Sequence, residues 1–334
     1  MGGMKPMTHW ERVEAAIAGA PTDIVPLSLW RHFPGDDLDP AKLAAHMVAW
    51  QRRWDFDVVK FMPPGTYSVV DWGAVAEYRG NAIGTREVVV PAVRSTGDWA
   101  RLARLDPRAG SWGRQNEALR TVARELDGTV PILQTVFSPL TTARKMATDG
   151  LYADLRCHPD AVHAALRVIT DVTIAFAQDA LDAGAAGIFL ATQQATHRLL
   201  TVDEYQRFGK AYDLEVLRAL EGRARLNLLH AHGEDIMFDA LCDYPVELFN
   251  WHDRHTPPSI AAAAARFPGL LVGGVDEHGT LLSGTPEAIR AEVADAVSQS
   301  GGRRLMIGPG CVLPIAARER SIQALVDAVR GAIV

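Results

Sequence analysis

Short apolar runs rich in Val, Ile and Leu alternate along the chain with longer stretches in which apolar residues recur at helical spacing. Runs that are apolar along their whole length are typical of parallel strands covered on both faces. Eight such strands are predicted: Ile24–Leu29, Asp57–Phe61, Val130–Val136, Gly187–Ala191, Leu226–His230, Leu248–Trp251, Leu270–Val275 and Arg304–Ile307. Because eight strands alternating with helices can close on themselves, we predict an α/β fold in which residues 1–334 form a single (β/α)8 TIM barrel.

Helix ends can be recognised as well as helical periodicity. Thr8 has the character of an N-cap with Glu11 three residues later, which is the spacing of a capping box, and Thr285 is a second candidate cap. The region Asp71–Pro107 fits no strand–helix unit, and Val88–Val93 resembles part of a hairpin, so we expect an excursion after strand two. Five helices are predicted: Thr8–Ala18, His158–Ala183, Val202–Leu220, Pro286–Ser300 and Arg318–Ile333.

The main alternative to a barrel is an open, doubly wound sheet. Such a sheet normally carries a glycine-rich turn after its first strand. Here the first predicted strand runs into L-W-R-H-F-P-G-D-D, which lacks the G-x-G-x-x-G pattern. The barrel is therefore the favoured architecture.

The composition is that of an ordinary globular protein, with 48% hydrophobic and 22% charged residues. The formal net charge is −6 and no basic stripe is visible, which argues against nucleic acid or an anionic membrane as a partner. The N-terminus has no apolar core of signal-peptide length, and no stretch approaches about 18 consecutive apolar residues. With three widely spaced cysteines, these features predict a cytoplasmic protein without a disulfide framework.

The fifth and eighth predicted strands end in residue types that bind zinc. His230 and His232 lie two positions apart on an extended segment, so their imidazoles point the same way. Cys311 follows the eighth strand in a turn of Gly and Pro, and the carboxyl ends of barrel strands share one face. Two imidazoles and one thiolate suit zinc and leave a fourth position for water or substrate. Spacing alone leaves open that the histidines are ordinary loop residues and the thiol a small buried hydrophobe.

Further polar residues lie at or near the same strand ends. Their types suit anion binding, acid–base chemistry or the orientation of a ligand imidazole, and the alternative for each is capping of the helix that follows. The candidates for substrate binding are Arg31, His32, Lys60 and Gln134. The candidates for catalysis are His252, Asp253 and Asp276.

Several stretches resemble the uroporphyrinogen decarboxylase superfamily over nearly the whole chain. The opening E-R-V-E-A-A-I-A-G-A-P-T-D-I-V-P, the segment P-I-L-Q-T-V-F-S-P-L-T-T-A-R-K-M, and A-G-A-A-G-I-F-L with E-Y-Q-R-F-G-K-A-Y downstream are similar to the superfamily's first, third and fourth units. The stretch G-G-V-D-E-H-G-T-L-L-S-G-T-P-E-A-I-R is the most specific, because it resembles a family pattern G-N-V-D-P…L-x-G-T-P-E. The resemblance implies a (β/α)8 barrel.

The resemblance also distinguishes two branches of the superfamily. Decarboxylases carry M-R-Q-A-G-R, F-S-D-I and G-H-G where this chain has W-R-H-F-P-G-D-D, F-M-P-P and G-P-G, so residues that meet a polyanionic porphyrinogen are missing. Methylcobalamin:coenzyme M methyltransferases carry H-x-C and G-C, which correspond to His230-x-His232 and Gly310-Cys311. The one departure is histidine at 232, which keeps a zinc ligand but raises the charge of the site from about zero to near +1.

These features lead to one principal hypothesis and three alternatives. The principal hypothesis is a zinc-dependent methyl or alkyl transferase for a small thiol, thioether or methoxy substrate, with Arg31 or Lys60 at an anionic end of that substrate. Cobalamin, if used, would come from a separate corrinoid carrier protein, and a homodimer is a further expectation. The alternatives are a zinc lyase or hydrolase that uses His252 or Asp276 as acid or base, a metal-free decarboxylase, and a non-catalytic binding protein.

Overall fold

A computed structural model describes residues 5–331 and has a curled, seven-stranded parallel sheet at its centre. All positions of these seven strands are buried, as is typical of parallel strands with both faces covered. The strands of the described chain are β1 (Val59–Phe61), β2 (Val75–Glu77), β3 (Glu87–Val90), β4 (Ile132–Phe137), β5 (Gly187–Thr192), β6 (Leu228–Ala231), β7 (Leu248–Trp251), β8 (Leu270–Val275) and β9 (Leu305–Pro309). The parallel sheet has the order β1-β4-β5-β6-β7-β8-β9, and β2 pairs with β3 in a separate antiparallel hairpin.

The predicted first strand, Ile24–Leu29, is not a regular strand in the structure. It forms a single parallel bridge, between Leu27 and Ile307 of β9. The Ile307 N–H donates to the Pro26 carbonyl at 2.8 Å, and on the other side the Asp57 N–H donates to the Leu27 carbonyl at 2.8 Å. Pro26 has no N–H to contribute to a ladder, which limits the pairing. The segment therefore lies between β9 and the approach to β1, and a closed eight-stranded barrel stays a prediction.

The other predicted strands are present, and most differences are at their ends. The predictions Leu248–Trp251 and Leu270–Val275 coincide with β7 and β8. The prediction Asp57–Phe61 began too early, because the Asp57 carboxylate accepts the Leu27 N–H and the regular strand starts at Val59. The remaining four strands are displaced by one or two residues, as expected for boundaries inferred from apolar runs.

Helices surround the sheet, and the predicted caps are confirmed. Thr8 and Glu11 form the capping box of the first helix, and the Thr285 hydroxyl accepts the Ala288 N–H. The last predicted helix, Arg318–Ile333, is described from Glu319 to Gly331, and Ile333 lies outside the described residues. No helix in this part of the chain is long and apolar enough to cross a membrane. The α-helices are α1 (His9–Ala18), α2 (Pro40–Trp54), α3 (Tyr67–Val70), α4 (Thr96–Trp99), α5 (Gly110–Leu126), α6 (Pro139–Ala147), α7 (Gly150–Cys157), α8 (Pro159–Asp182), α9 (Val202–Tyr205), α10 (Ala211–Arg218), α11 (Phe238–Leu241), α12 (Ile260–Ala264), α13 (Thr280–Ser283), α14 (Pro286–Ser300) and α15 (Glu319–Gly331).

The predicted helix Val202–Leu220 is interrupted by a π-helical turn over Gln206–Lys210. The turn follows Tyr205, whose hydroxyl lies 2.8 Å from the Tyr244 hydroxyl and 3.0 Å from Oδ2 of Asp213. The Tyr244 hydroxyl lies 3.1 Å from the same Oδ2, so the three oxygens form a buried ring. The two phenolic protons can form hydrogen bonds in only two of the three oxygen–oxygen contacts of this ring. A protonated Asp213 carboxyl supplies the proton for the third contact. Burial agrees with this count, because it raises the pKa of Asp213 to about 7.

The raised pKa of Asp213 predicts a pH-dependent contribution to stability. The folded state binds a proton more tightly than the unfolded state, so this contribution is present below about pH 4 and is lost as the pH rises through about 7. Asp213→Asn removes the titrating group and keeps an acceptor oxygen. We expect the fall in the free energy of unfolding between pH 5 and pH 7 to shrink by on the order of 2–3 kcal/mol. Urea denaturation at half-unit pH intervals measures it, with the exposed Asp203→Asn as control, and an unchanged slope in Asp213→Asn would contradict the prediction.

Candidate metal centre

A cluster of histidine and cysteine side chains lies at the carboxyl ends of β6, β7 and β9. His230 is in β6, His232 directly follows it, His252 directly follows β7, and Cys311 lies two residues beyond β9. One donor atom from each of these four residues lies within 4.8 Å of all the others. The structure therefore brings together the three predicted zinc ligands and adds His252, for which an acid–base role was predicted.

The spacing of the donor atoms fits a zinc ion. Sγ of Cys311 lies 3.5 Å from Nδ1 of His232 and 3.8 Å from Nε2 of His230. Nε2 of His252 lies 3.3 Å from Nδ1 of His232. Tetrahedral zinc, with bonds of about 2.0–2.1 Å to nitrogen and about 2.3 Å to sulfur, holds nitrogen and sulfur about 3.6 Å apart and two nitrogens about 3.3 Å apart. Both the donor types and their separations match these values.

Asn250 determines which nitrogen of His230 is free to bind a metal. Its side-chain N–H groups donate to the carbonyls of Val272 at 2.9 Å and Pro309 at 3.0 Å. The amide oxygen therefore faces Nδ1 of His230, at 2.6 Å, and that oxygen can only accept. Nδ1 must carry the proton, so the lone pair of His230 is on Nε2, the nitrogen that faces Cys311. Asn250 is in register with His230 across β6 and β7, which places both on one face of the sheet.

The imidazoles are held in the neutral form that metal binding requires. Burial, and then the neighbouring imidazoles, lower the pKa of His230 well below its ordinary value. Burial, and then the charge of Lys145, lower the pKa of His232 to about 4. Both rings are therefore neutral near neutral pH, and each neutral ring has one nitrogen with a free lone pair.

Glu277 is a fully buried carboxylate beside the cluster, and it was not among the predicted site residues. Its Oε2 accepts the Gly310 N–H at 3.0 Å, in the turn that leads to Cys311. Its Oε1 lies 3.6 Å from Nδ1 of His252 and makes no hydrogen bond. Burial raises the pKa of Glu277. The only sequence signal for it was its position next to Asp276, after strand β8.

The two predicted catalytic aspartates lie apart from the four donors. The Asp253 carboxylate accepts the Gly274 N–H at 3.0 and 3.1 Å, and burial raises the pKa of Asp253 to about 7. Asp276 accepts the N–H groups of His278 and Gly279 and lies 3.0 Å from Nε2 of His255. Asp253 thus joins the loop after β7 to β8, and Asp276 holds the turn after β8. Neither caps the helix that follows, because the N-caps of α12 and α13 are Ser259 and Gly279.

A cavity of about 260 Å³ opens onto the cluster. His230, His232 and Cys311 form one end of it, and Phe189, Phe137 and Met62 contribute apolar walls. Ligand sites for drug-sized molecules have volumes of about 300–1,000 Å³, so a substrate that fills this cavity is small.

Two lysines and a histidine face the same cavity: the buried Lys60 and His32 and the half-buried Lys145. Burial lowers the pKa of Lys60 to about 7 and of Lys145 to about 8. Neither ammonium forms a salt bridge to a carboxylate within residues 5–331, and Nζ of Lys145 donates to the Gly65 carbonyl at 2.9 Å. Nδ1 of His32 is buried without a hydrogen-bond partner. Lys145 comes from helix α6, and no pattern in the sequence indicated it.

The other two predicted substrate-binding residues do not line the cavity. The Arg31 guanidinium lies 5.8 Å from the centre of the Trp50 ring and approaches the Ile315 carbonyl at 3.5 Å. Gln134 is in register with Phe61 and Ile188, on the opposite face of the sheet from its cavity-lining neighbour in β4, Thr135. Successive side chains of a strand point to opposite faces, so a one-residue offset decides this.

Comparison with known proteins finds a family whose profile matches most of the chain. The profile described as Uroporphyrinogen decarboxylase (URO-D) matches residues 40–332. Uroporphyrinogen decarboxylase of Ectopseudomonas mendocina is 29% identical over 225 residues, which are 63% of this chain and 61% of that enzyme. Methylcobamide:CoM methyltransferase MtbA of Methanosarcina acetivorans is 21% identical over 244 residues, 73% of this chain and 71% of that enzyme.

Solved structures show the same fold. A methyltransferase from Methanosarcina mazei superposes with a TM-score of 0.84 at 21% identity, over 97% of this chain and 98% of that one. A B12-independent methionine synthase from Shewanella superposes with a TM-score of 0.58 at 14% identity, over 92% and 94% of the two chains. At these identities the likeness concerns the fold.

Proposed function

Because the chain belongs to the uroporphyrinogen decarboxylase family, we propose that it is a zinc-dependent methyl or alkyl transferase that acts on a small thiol, thioether or methoxy compound. His230, His232 and Cys311 would hold the zinc at the open end of a completed (β/α)8 barrel. The observation that carries the proposal is the convergence of nitrogen and sulfur donors, at tetrahedral spacing, on one end of a small cavity. Methyltransferases among the relatives support the same reading.

Zinc in this position would lower the pKa of a bound thiol, so that the thiolate is available near neutral pH. The chain itself supplies the other functions. Because three of the four donors hold the zinc in this proposal, Nε2 of His252, 3.3 Å from the donor atom of His232, would keep its lone pair and could take up the thiol proton. Phe189, Phe137 and Met62 would pack against the apolar part of the substrate. A methyl group on a corrinoid would be delivered by a separate carrier protein.

The two lysines indicate the kind of substrate that fits beside the thiol-binding end. Lys60 is buried and Lys145 is half-buried, and neither is paired with a carboxylate within residues 5–331. An ammonium group in such a place is costly unless a ligand supplies the missing charge. A substrate with a sulfur at one end and a carboxylate or sulfonate at the other satisfies both ends of the cavity. A porphyrinogen does not suit a cavity of about 260 Å³, which argues against the metal-free decarboxylase.

Demethylation of methylcobalamin in the presence of a thiol, followed by absorbance, tests the proposal on zinc-loaded protein. We expect 2-mercaptoethanesulfonate or 3-mercaptopropionate to react and 2-mercaptoethanol to react poorly. Lys60→Met should raise KM for the anionic thiol by about 10–100-fold, because a hydrogen bond to a charged group contributes roughly 1.5–3 kcal/mol. The reaction with 2-mercaptoethanol should hardly change and serves as the internal control.

Two results would count against this function. Protein without bound zinc after purification in the presence of zinc would remove the basis of the site. Full zinc occupancy without a reaction on any thiol would favour the second candidate function, a zinc lyase or hydrolase.

A further inference from the structure

Substrate binding in the cavity does not explain the position of Glu277. It is 0% exposed, does not line the cavity, and has no lysine or arginine of residues 5–331 within salt-bridge distance. A carboxylate this deeply buried is strongly destabilising unless a positive charge or several donors compensate it. Within the described chain, the one hydrogen bond that it accepts from another residue comes from the Gly310 N–H, to Oε2.

The second oxygen of Glu277 is directed at the cluster. Oε1 is buried without a hydrogen-bond partner among residues 5–331, and Nδ1 of His252 lies 3.6 Å from it. Nε2 of His278, on the more exposed side, lies at 3.9 Å. His252 in turn presents its other nitrogen to His232. One carboxylate therefore touches both the turn that carries Cys311 and the ring that borders the metal donors.

The charge of the proposed donor set accounts for an acidic partner. One thiolate and neutral imidazoles around a divalent ion leave a net charge of +1. Two further ammonium groups, Lys60 and Lys145, line the same cavity. At low effective dielectric such an excess of positive charge opposes metal binding, and a single buried carboxylate cancels one unit of it.

We propose that Glu277 is the counter-charge and positioning residue of the metal centre: it neutralises the excess positive charge through His252 and fixes the turn that presents Cys311. The inference rests on the proposed zinc site and deepens it. The close approach of the backbone supports it, because a Cβ at Gly310 would lie 2.8 Å from Cα of His252 and 3.3 Å from Oε2 of Glu277. The carboxylate, the ring and the turn are thus packed as one unit.

Zinc affinity, measured by competition with a chromogenic chelator, tests this role without an activity assay. Glu277→Gln keeps the shape and an acceptor for the Gly310 N–H but removes the charge. We expect it to raise the zinc Kd by about 10–100-fold, the usual loss when a partner that orients a ligand is removed. Glu277→Asp keeps the charge and should stay within about 5-fold of the wild type, so it tests the same idea if the glutamine variant does not fold. His278→Ala is the control for the second imidazole near Oε1 and should stay within about 3-fold.

A second thiolate distinguishes a counter-charge from general structural support. His232→Cys supplies one more negative charge among the donors, so Glu277→Gln in that background should raise the zinc Kd by less than about 5-fold. An equal loss in both backgrounds, or zinc binding by Glu277→Gln as tight as in the wild type, would overturn the inference and leave the proposed function intact. Wild-type protein that binds no zinc would instead overturn the proposed function.

Discussion

Replacing Cys311 by alanine is expected to abolish zinc binding and, with it, any reaction of a thiol substrate. Cys311 contributes the only sulfur donor of the cluster, 3.5 and 3.8 Å from the two imidazole nitrogens of His232 and His230. Its removal leaves neutral nitrogen donors for a divalent ion in a buried site. We expect the zinc Kd to rise by at least about 100-fold, since residues that only orient a ligand already contribute roughly 10–100-fold. Metal analysis after dialysis, together with chelator competition, gives both stoichiometry and affinity.

Cys242 provides a matched control for this result. Its thiol is partly buried and lies 3.5 Å from the Asp239 carbonyl, away from the four donors, so Cys242→Ala should keep about one zinc per chain. A Cys311→Ala protein that retains the same zinc content and affinity as Cys242→Ala would show that the metal is bound elsewhere. Full occupancy in a His230→Ala/Cys311→Ala double variant would exclude the proposed site altogether.

Replacing Asn250 by leucine is expected to have the largest effect on stability. The leucine has a similar size but removes three buried hydrogen bonds, one from the Nδ1–H of His230 and two to the carbonyls of Val272 and Pro309. Each unsatisfied buried group costs about 1–3 kcal/mol, so the free energy of unfolding should fall by on the order of 3–6 kcal/mol. Urea denaturation of the metal-free protein measures this loss. Zinc affinity should fall too, because His230 is then free to present either nitrogen.

Gln134→Leu is the contrasting control, because replacing this buried amide by leucine removes no hydrogen bond. Both polar atoms of the Gln134 side chain are buried without a partner. Replacing it by an apolar residue of similar volume should therefore leave stability unchanged or raise it. If Asn250→Leu were as well tolerated as Gln134→Leu, the hydrogen bonds around Asn250 would not be what holds His230 in place.

The strands show how far apolar patterning can be followed along the chain. A buried strand such as β7 or β8 is predicted to the residue, because its apolar run ends where the strand ends. The segment Ile24–Leu29 has the same apolar character, yet only its single bridge to β9 qualifies as pairing. Apolar runs report burial, whereas regular pairing also needs a free N–H at each position of the ladder, and Pro26 lacks one. The π-helical turn at Gln206–Lys210 was missed for a related reason, since it has the same apolar spacing as an α-helix to within one residue.

In the candidate metal centre, too, some residues could be predicted from the sequence and others could not. The spacing of His230 and His232, and the position of Cys311 after a strand, were sufficient to group three donors, because side chains at alternate positions and at the same strand ends face one region. The contributions of Asn250, Glu277 and Lys145 were not predictable. Their roles depend on which oxygen or nitrogen meets which partner across elements that are distant in sequence.

By itself, the sequence determined the alternation of strands and helices, the helix caps at Thr8 and Thr285, and the choice of His230, His232 and Cys311 as candidate ligands. These are local properties, set by periodicity, by short-range hydrogen bonding and by the chemistry of the side chains. Only the tertiary structure decided that Glu277 rather than Asp276 adjoins the donors, and that Lys60 and Lys145 face the cavity while Arg31 and Gln134 do not. The physical reason is that a turn of one residue, or a register offset of one position, sends a side chain to the opposite side of the sheet, and long-range packing selects between the two.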